Sequence, residues 1–301
     1  MNPRSYYILS LIALCSVFLN PLALHGAQQY PPLIDGAEEY VYKTVDGFDL
    51  KIWVFKPEES TEMKIPAMLF FFGGGWNGGS PTQFVRQSQY LAERGMVGIV
   101  ADYRVKSRQG VRANSCVIDA LDALRYVTAN AGDLGIDRDR IGVGGGSAGG
   151  HLAACLGTIH ADDPVAPKAM ALYNPATVLA FSFPDLEKVP EYFQIMNQLK
   201  SETKEKIEQL RTRLGVEPIE LSPFHHVKTN SPPAIIFHGT NDSIVPYGSA
   251  KFFNIKLKAN GVSSELKTYQ GAGHGFFNRE PYYSQTNEQL DQFLVSLGWL
   301  K

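Results

Sequence analysis

The stretch Ile141-Gly142-Val143-Gly144-Gly145-Gly146-Ser147-Ala148-Gly149-Gly150-His151 decides how this chain is read. A short apolar strand runs into glycines, a serine stands among them, and a helix over Ala148 to Leu156 follows. Within it, Gly145-Gly146-Ser147-Ala148-Gly149 has the form G-x-S-x-G. That pattern marks a sharp strand-to-helix turn that lifts a nucleophilic serine above a sheet. The glycines have a steric reason: the turn brings the backbone close to flanking segments, so a side chain two residues before or after Ser147 would collide. The turn also puts the free N–H groups of a helix start beside Ser147, where negative charge would develop. A phosphate-binding loop competes with this reading, but the Lys-Ser/Thr of a P-loop is missing. A dinucleotide G-x-G-x-x-G fits only with a mismatch at Ser147, starting inside the strand at Gly142.

Outward from the elbow, apolar runs alternate with helical periodicity. Val41 to Val45 and Leu50 to Phe55 predict strands around the hairpin turn Asp46-Gly47. Ala67 to Phe72, Met96 to Ala101, Arg140 to Val143, Ala169 to Tyr173, Ala234 to Phe237 and Leu266 to Tyr269 predict further strands. The unbroken apolar runs suit strands covered on both faces. Between them, Gln83 to Arg94, the stretch from Val117 to Val127, Ala148 to Leu156, Ser249 to Asn260 and Ser284 to Leu297 predict helices. Strands alternating with helices imply a mostly parallel sheet wrapped on both faces, with the hairpin at one edge. Asn174 to Lys228 breaks the rhythm, with a proline-rich part (Phe181 to Pro190) and a charged helix (Ser201 to Leu214). It is expected to insert over the C-terminal edge of the sheet, where ligands bind in such folds.

Composition narrows the function. The chain has 301 residues, 28 Lys+Arg against 30 Asp+Glu, and 19% charged residues, below the usual ~25%. A formal net charge of −2 gives no electrostatic reason to expect nucleic acid. The three cysteines, Cys15, Cys116 and Cys155, have no metal-ligand spacing and are too few for a disulfide framework. Cys116 and Cys155 read as small buried apolar residues, a single bridge between them being the alternative. No cofactor or metal is called for. Arg4, the apolar run Tyr6 to Leu19, Pro21 and the small residues ending at Gly26-Ala27 have the layout of a secretory signal peptide. Residues 1–27 are therefore expected to be removed, leaving 28–301 as a single domain in a secreted or periplasmic protein with no stable membrane insertion. An uncleaved anchor is the competing reading.

With the elbow and the alternating elements in place, the chain resembles an α/β-hydrolase of the esterase/lipase group. That group includes hormone-sensitive-lipase-like enzymes and bacterial acetyl, xylan and feruloyl esterases. The resemblance covers nearly all of the chain after residue 27. Phe72-Gly73-Gly74-Gly75-Trp76 resembles the group's H-G-G-G-[FW] oxyanion loop, with Phe72 in place of histidine. It implies that the Gly74 and Gly75 N–H groups hold an oxyanion together with that of Ala148, the residue after the nucleophile. Phe237-His238-Gly239-Thr240-Asn241-Asp242-Ser243-Ile244-Val245-Pro246 resembles H-G-x-x-D-x-x-V-P, which with the chain order Ser, acid, His makes Asp242 the acid. Asp163, Asp185 and Glu187 are weaker rivals. Gly271-Ala272-Gly273-His274-Gly275-Phe276-Phe277 resembles the loop that carries the base, His274, while His151, His225, His226 and His238 read as helix, loop or strand-end residues. Asp102-Tyr103-Arg104 and Gly135 to Ile141 read as scaffold.

The reading is a serine carboxylesterase acting on short acyl esters, acetyl above all, whose substrate is a small molecule or is linked to polysaccharide. Trp76 is a candidate for narrowing the acyl side. An acylaminoacyl- or dipeptidyl-peptidase-like hydrolase and a non-catalytic binding member of the fold are the rivals.

Overall fold

In the computed structural model, which describes residues 30–58, 64–180 and 204–301, the elbow sequence ends the central strand of an eight-stranded sheet. The strands are β1 (Glu38–Val45), β2 (Phe48–Phe55), β3 (Ile65–Phe71), β4 (Val97–Ala101), β5 (Ile136–Gly146), β6 (Met170–Tyr173), β7 (Ala234–Gly239) and β8 (Ser264–Tyr269), in the order β1-β2-β4-β3-β5-β6-β7-β8. β2 runs antiparallel to β1 and β4, and every other pairing is parallel. This is the arrangement of an α/β-hydrolase. Asp46 (φ 52°) and Gly47 (φ 78°) make the two-residue hairpin turn, both in the left-handed region that such a turn requires.

Helices cover both faces: α1 (Val85–Glu93), the short α2 (Lys106–Gln109), α3 (Ala113–Ala129), α4 (Ala148–Thr158), α5 (Lys204–Leu214), α6 (Tyr247–Ala259) and α7 (Tyr282–Ser296). Alternate residues of each strand point to opposite faces. Leu69, Ile99, Val143, Leu172 and Ile236 therefore pack in the layer that holds Leu124 of α3, Leu152 of α4 and Phe253 of α6. Their neighbours Phe70, Val100, Ala171 and Phe237 pack in the layer of Leu91 of α1 and Leu290 of α7. Asp119, fully buried on α3, accepts from the Arg104 guanidinium at 2.9 and 3.0 Å and from Lys43 Nζ at 2.7 Å. That makes Arg104 of the Asp102-Tyr103-Arg104 run part of the scaffold. Cys116 and Cys155 are free, buried thiols, and no bridge joins them.

Several boundaries differ from the sequence expectation. β5 begins at Ile136 rather than Arg140, because Ile136 pairs with Ile65 while polar Asp137 to Arg140 keep their side chains on the outside. Helix α1 begins at Val85; Pro81–Phe84 forms a 3-10 turn, capped by the Ser80 hydroxyl. Residues 1–27, Phe181 to Pro190 with Asp185 and Glu187, and the start of the helix expected from Ser201 lie outside the described residues.

His151, on the buried face of α4, ties three segments together. Its Nδ1 accepts from Trp76 Nε1 (3.2 Å), and its Nε2 donates to the Leu221 carbonyl (2.7 Å). Both bonds suit a neutral ring. Burial pushes its pKa down from 6.5 to about 4, the Leu221 bond only partly opposing it. Because the folded value lies below the unfolded one, stability is full above pH ~6.5 and is lost as pH falls toward ~4, by about 3 kcal/mol in all. His160, whose pKa burial also lowers, adds to the same window. Denaturation midpoints across pH 7 to 4 should therefore fall steeply in the wild type and less steeply in His151→Gln. Equal slopes would mean that the ring is not held neutral.

Candidate active site

The turn at Ser147 is built by close approach. Ser147 itself has φ 53°, ψ −115°, an unfavourable backbone for a residue with a side chain. A Cβ on Gly149 would lie 2.0 Å from the Phe71 carbonyl oxygen, and one on Gly145 2.5 Å from the same atom. The end of β3 thus touches both glycines of the G-x-S-x-G run. The Ser147 N–H donates to Tyr173 O (2.9 Å), and the Ser147 carbonyl accepts from His151 N–H (2.9 Å), opening α4.

Three side chains from separate segments meet there. Ser147 Oγ lies 2.9 Å from His274 Nε2, and His274 Nδ1 lies 2.8 Å from Asp242 Oδ2. With Nδ1–H donating to the carboxylate, Nε2 is left to accept the serine proton. Asp242 is buried. Burial alone would raise its pKa, but bonds from His238 and His274 and from the Val245 and Ile244 N–H groups outweigh that and hold it well below the usual carboxylate range. Of the rivals for the acid, Asp163 lies elsewhere and pairs with Arg125.

The loop after β3 lies against the serine. A Cβ on Gly73 would come within 3.3 Å of Ser147 Cβ and 2.9 Å of Gly146 O. Gly74 (φ 130°) and Gly75 (φ 62°) take conformations that suit glycine. The Gly74 carbonyl accepts from the N–H groups of Asn77 and Gly78 (3.1 Å each), which turns the Gly75 N–H the opposite way. Neither Gly74 nor Gly75 donates its N–H within the protein among the described residues. Ala148, first residue of α4, likewise has no intrahelical acceptor for its N–H. Phe72, where the resembled loop has histidine, stacks on Tyr103 (centroids 4.1 Å apart), whose O–H donates to Phe72 O at 2.6 Å. Trp76 lines the cavity, but its ring is buried edge-on against His151.

A cavity of about 660 Å³ opens over these residues. Its wall includes apolar Phe277, Val111 and Ile244 beside polar Gln83 and Asn174. Four supporting residues escaped the sequence reading. Gln83 Oε1 accepts from Gly73 N–H (2.6 Å). Asn174 (φ 37°) accepts on Oδ1 from Gly275 N–H (3.0 Å) and so steadies the His274 loop. Arg213 of α5 donates to the Gly75 carbonyl from Nη2 (2.6 Å). His238 Nε2, 2.9 Å from Val245 O and 3.3 Å from Asp242 Oδ2, is a second imidazole against the carboxylate. The Asn174 signal was present in the sequence, as an asparagine just past a strand end, a residue type that tolerates positive φ. Gln83 and Arg213 carried none. No cluster of potential metal ligands occurs among the described residues.

The BD-FAE family model matches residues 52–257, and that of the dienelactone hydrolase family matches residues 217–300. Among curated relatives, Esterase LipC of Mycobacterium tuberculosis is 30% identical over 74% of this chain and 56% of its own length. An ethyl acetate hydrolase of Pseudomonas putida is 27% identical over 84% of this chain and 80% of its own. This chain spans about half the length of several of these relatives. Among solved structures, the Est2 esterase of Thermogutta terrifontis is 41% identical, with TM-score 0.79, covering 91% of this chain and 97% of that one. The same esterase has been solved phosphoramylated by tabun, at 40% identity, TM-score 0.78, and 90% and 98% coverage. Sheet order, elbow and sequence kinship agree: the chain belongs to the BD-FAE family and has the α/β-hydrolase fold.

Proposed function

We propose that this protein is an exported serine carboxylesterase that removes short acyl groups, acetyl above all, through an acyl-enzyme. The observation that carries the reading is the continuous hydrogen-bonded row Ser147–His274–Asp242, lying beside the Gly74 and Gly75 N–H groups. Ser147 Oγ attacks the ester carbonyl as His274 Nε2 takes its proton. The carbonyl oxygen gains negative charge, and the N–H groups of Gly74, Gly75 and Ala148 hold it. Asp242 fixes the imidazole tautomer and stabilises the imidazolium. The C–O bond then breaks, and His274 returns the proton to the departing alcohol. Water, deprotonated by His274, frees the acid and restores Ser147.

The preference for short acyl groups is supported by the wall at Trp76, which His151 holds rigidly beside the oxyanion loop. The ethyl acetate hydrolase among the relatives points the same way. Export is supported by the composition of residues 4–27, and it makes acetylated polysaccharide a natural target.

Ser147→Ala should lower kcat on para-nitrophenyl acetate by several orders of magnitude, and Asp242→Asn by ~10⁴ with the fold retained. Wild-type rates in Ser147→Ala, or failure of Ser147 to react with a fluorophosphonate probe, would refute the assignment. Across a para-nitrophenyl ester series kcat/KM should peak at the shortest acyl chains; a peak at dodecanoate would overturn the acyl preference.

A further inference from the structure

The cavity has an asymmetry that ester hydrolysis by itself does not require. Its described wall carries two cations, Arg213 and Lys106, and no carboxylate. Arg213 makes no ion pair among the described residues: Nε and Nη2 both turn to the Gly75 carbonyl (3.2 and 2.6 Å), and its guanidinium carbon lies 5.1 Å from the centre of the Trp76 ring. Lys106, first residue of α2, makes none either; its backbone N–H is anchored to Trp76 O (3.0 Å) and leaves the side chain at the exposed rim. A third group has the same polarity. Asn174 is fully buried and lines this cavity, yet its Nδ2 has no partner among the described residues, its Oδ1 being taken by Gly275 N–H. Two cations and an unmatched amide donor, next to backbone N–H groups, make a wall rich in donors.

Many cations elsewhere among the described residues pair with acids. Lys43, Arg94, Arg104, Arg125, Arg140, Arg211 and Lys228 all pair with carboxylates. Arg213 stands two residues after Arg211 on the same helix, and Arg211 bonds to both Glu208 and Glu217. Arg213 faces the cavity instead. Burial moves its pKa downward, and no acid among the described residues raises it.

We propose that Arg213 and Lys106 form a subsite for a carboxylate borne by the ester, so that anionic esters are the preferred substrates. The inference rests on the esterase reading above and narrows its substrate class. Arg213 is suited to the part because its planar fork can bond the Gly75 carbonyl on one edge and offer Nη1 to a carboxylate oxygen. Lys106 adds a mobile second charge. An ester carrying a carboxylate would thus be held by contacts that also brace the oxyanion loop at Gly75. With a short acyl group in place, the carboxylate belongs on the alcohol side.

The test compares matched esters. On the alcohol side the pair is para-acetoxybenzoate against phenyl acetate; on the acyl side it is monoethyl glutarate against ethyl valerate. In the wild type, the anionic member of the alcohol-side pair should have the higher kcat/KM, and added salt should erode that advantage. Arg213→Gln should lower kcat/KM for para-acetoxybenzoate by about tenfold or more, the size expected for one charge-assisted bond. Its effect on phenyl acetate, through the Gly75 contact alone, should be markedly smaller. Lys106→Gln, which does not touch Gly75, should shift the same ratio in the same direction. Equal losses on both members of the pair in Arg213→Gln, with no shift in Lys106→Gln, would overturn the subsite and leave Arg213 as a strut for the loop. An advantage confined to the acyl-side pair would overturn the placement on the alcohol. If phenyl acetate is cleaved by the wild type and not by Ser147→Ala, the esterase reading stands whatever the anionic esters do. If no ester in either pair is cleaved, that reading fails first.

Discussion

The close approach of β3 to the elbow is the constraint on which the site depends. One carbonyl, that of Phe71, sits where a Cβ on either Gly145 or Gly149 would need to be. The elbow can therefore fold only with bare backbone at both positions. The unfavourable φ of Ser147, of order 1–3 kcal/mol, persists because the surrounding sheet over-determines it. Ser147 is fixed on one side by its N–H bond to β6 and on the other by the first turn of α4. The same β3 end continues directly into Phe72 to Trp76, so Ser147 and the Gly74 and Gly75 N–H groups share one anchor. Their relative position follows from the pairing of β3 with β5, in which Phe71 aligns with Gly145. Side chains then hold the loop in place, Gln83 at Gly73 and Arg213 at Gly75. Preorganised donors are effective because they need no reorganisation as charge develops.

The charge of the Ser147–His274–Asp242 row is set by a different device. A carboxylate buried beside apolar strands would rise in pKa and tend to neutralise. Asp242 avoids this through four donors: the N–H groups of Ile244 and Val245 on Oδ1, and the imidazoles of His274 and His238 at Oδ2. The two backbone donors come from the turn that follows Asp242 itself, so a short local sequence supplies half of its solvation. His238, at the end of β7, donates from Nε2, and its Nδ1 has no partner among the described residues. Asp242 thus remains an anion able to orient His274, although it stands within a protein interior.

The sequence revealed most where the constraint was steric or periodic. The glycines around Ser147, the Asp46-Gly47 hairpin and the continuous apolar runs of β3 and β4 each have one physical solution, and the structure adopts it. It revealed less where a polar side chain serves a partner distant in the chain. Gln83 looked like a helix residue, since nothing local tells that its Oε1 meets Gly73. Arg213 looked like one charge on a solvated helix, alike in kind to Arg211, and only the fold turns one toward the cavity and the other toward Glu217. His151 read as an ordinary helical residue for the same reason: Trp76 and Leu221 are 75 and 70 positions away. Boundaries such as the start of β5 were blurred because edge pairing there recruits backbone, leaving a polar sequence unmarked.

Phe72 shows how a loop that resembles a histidine-bearing motif is held without the histidine. Its ring stacks on Tyr103, and the Tyr103 hydroxyl returns to the Phe72 carbonyl, so one side chain braces both the ring and the backbone of the same residue. Gln83 adds a polar contact at Gly73. An aromatic pair contributes roughly 0.5–1.5 kcal/mol beyond its burial. The far end of the loop is held differently, because Trp76 Nε1 donates to the imidazole of His151, whose burial favours its neutral form. One five-residue stretch is thus fixed by an aromatic stack at one end and by a neutral imidazole at the other, and the second contact is lost if that ring takes up a proton at Nδ1.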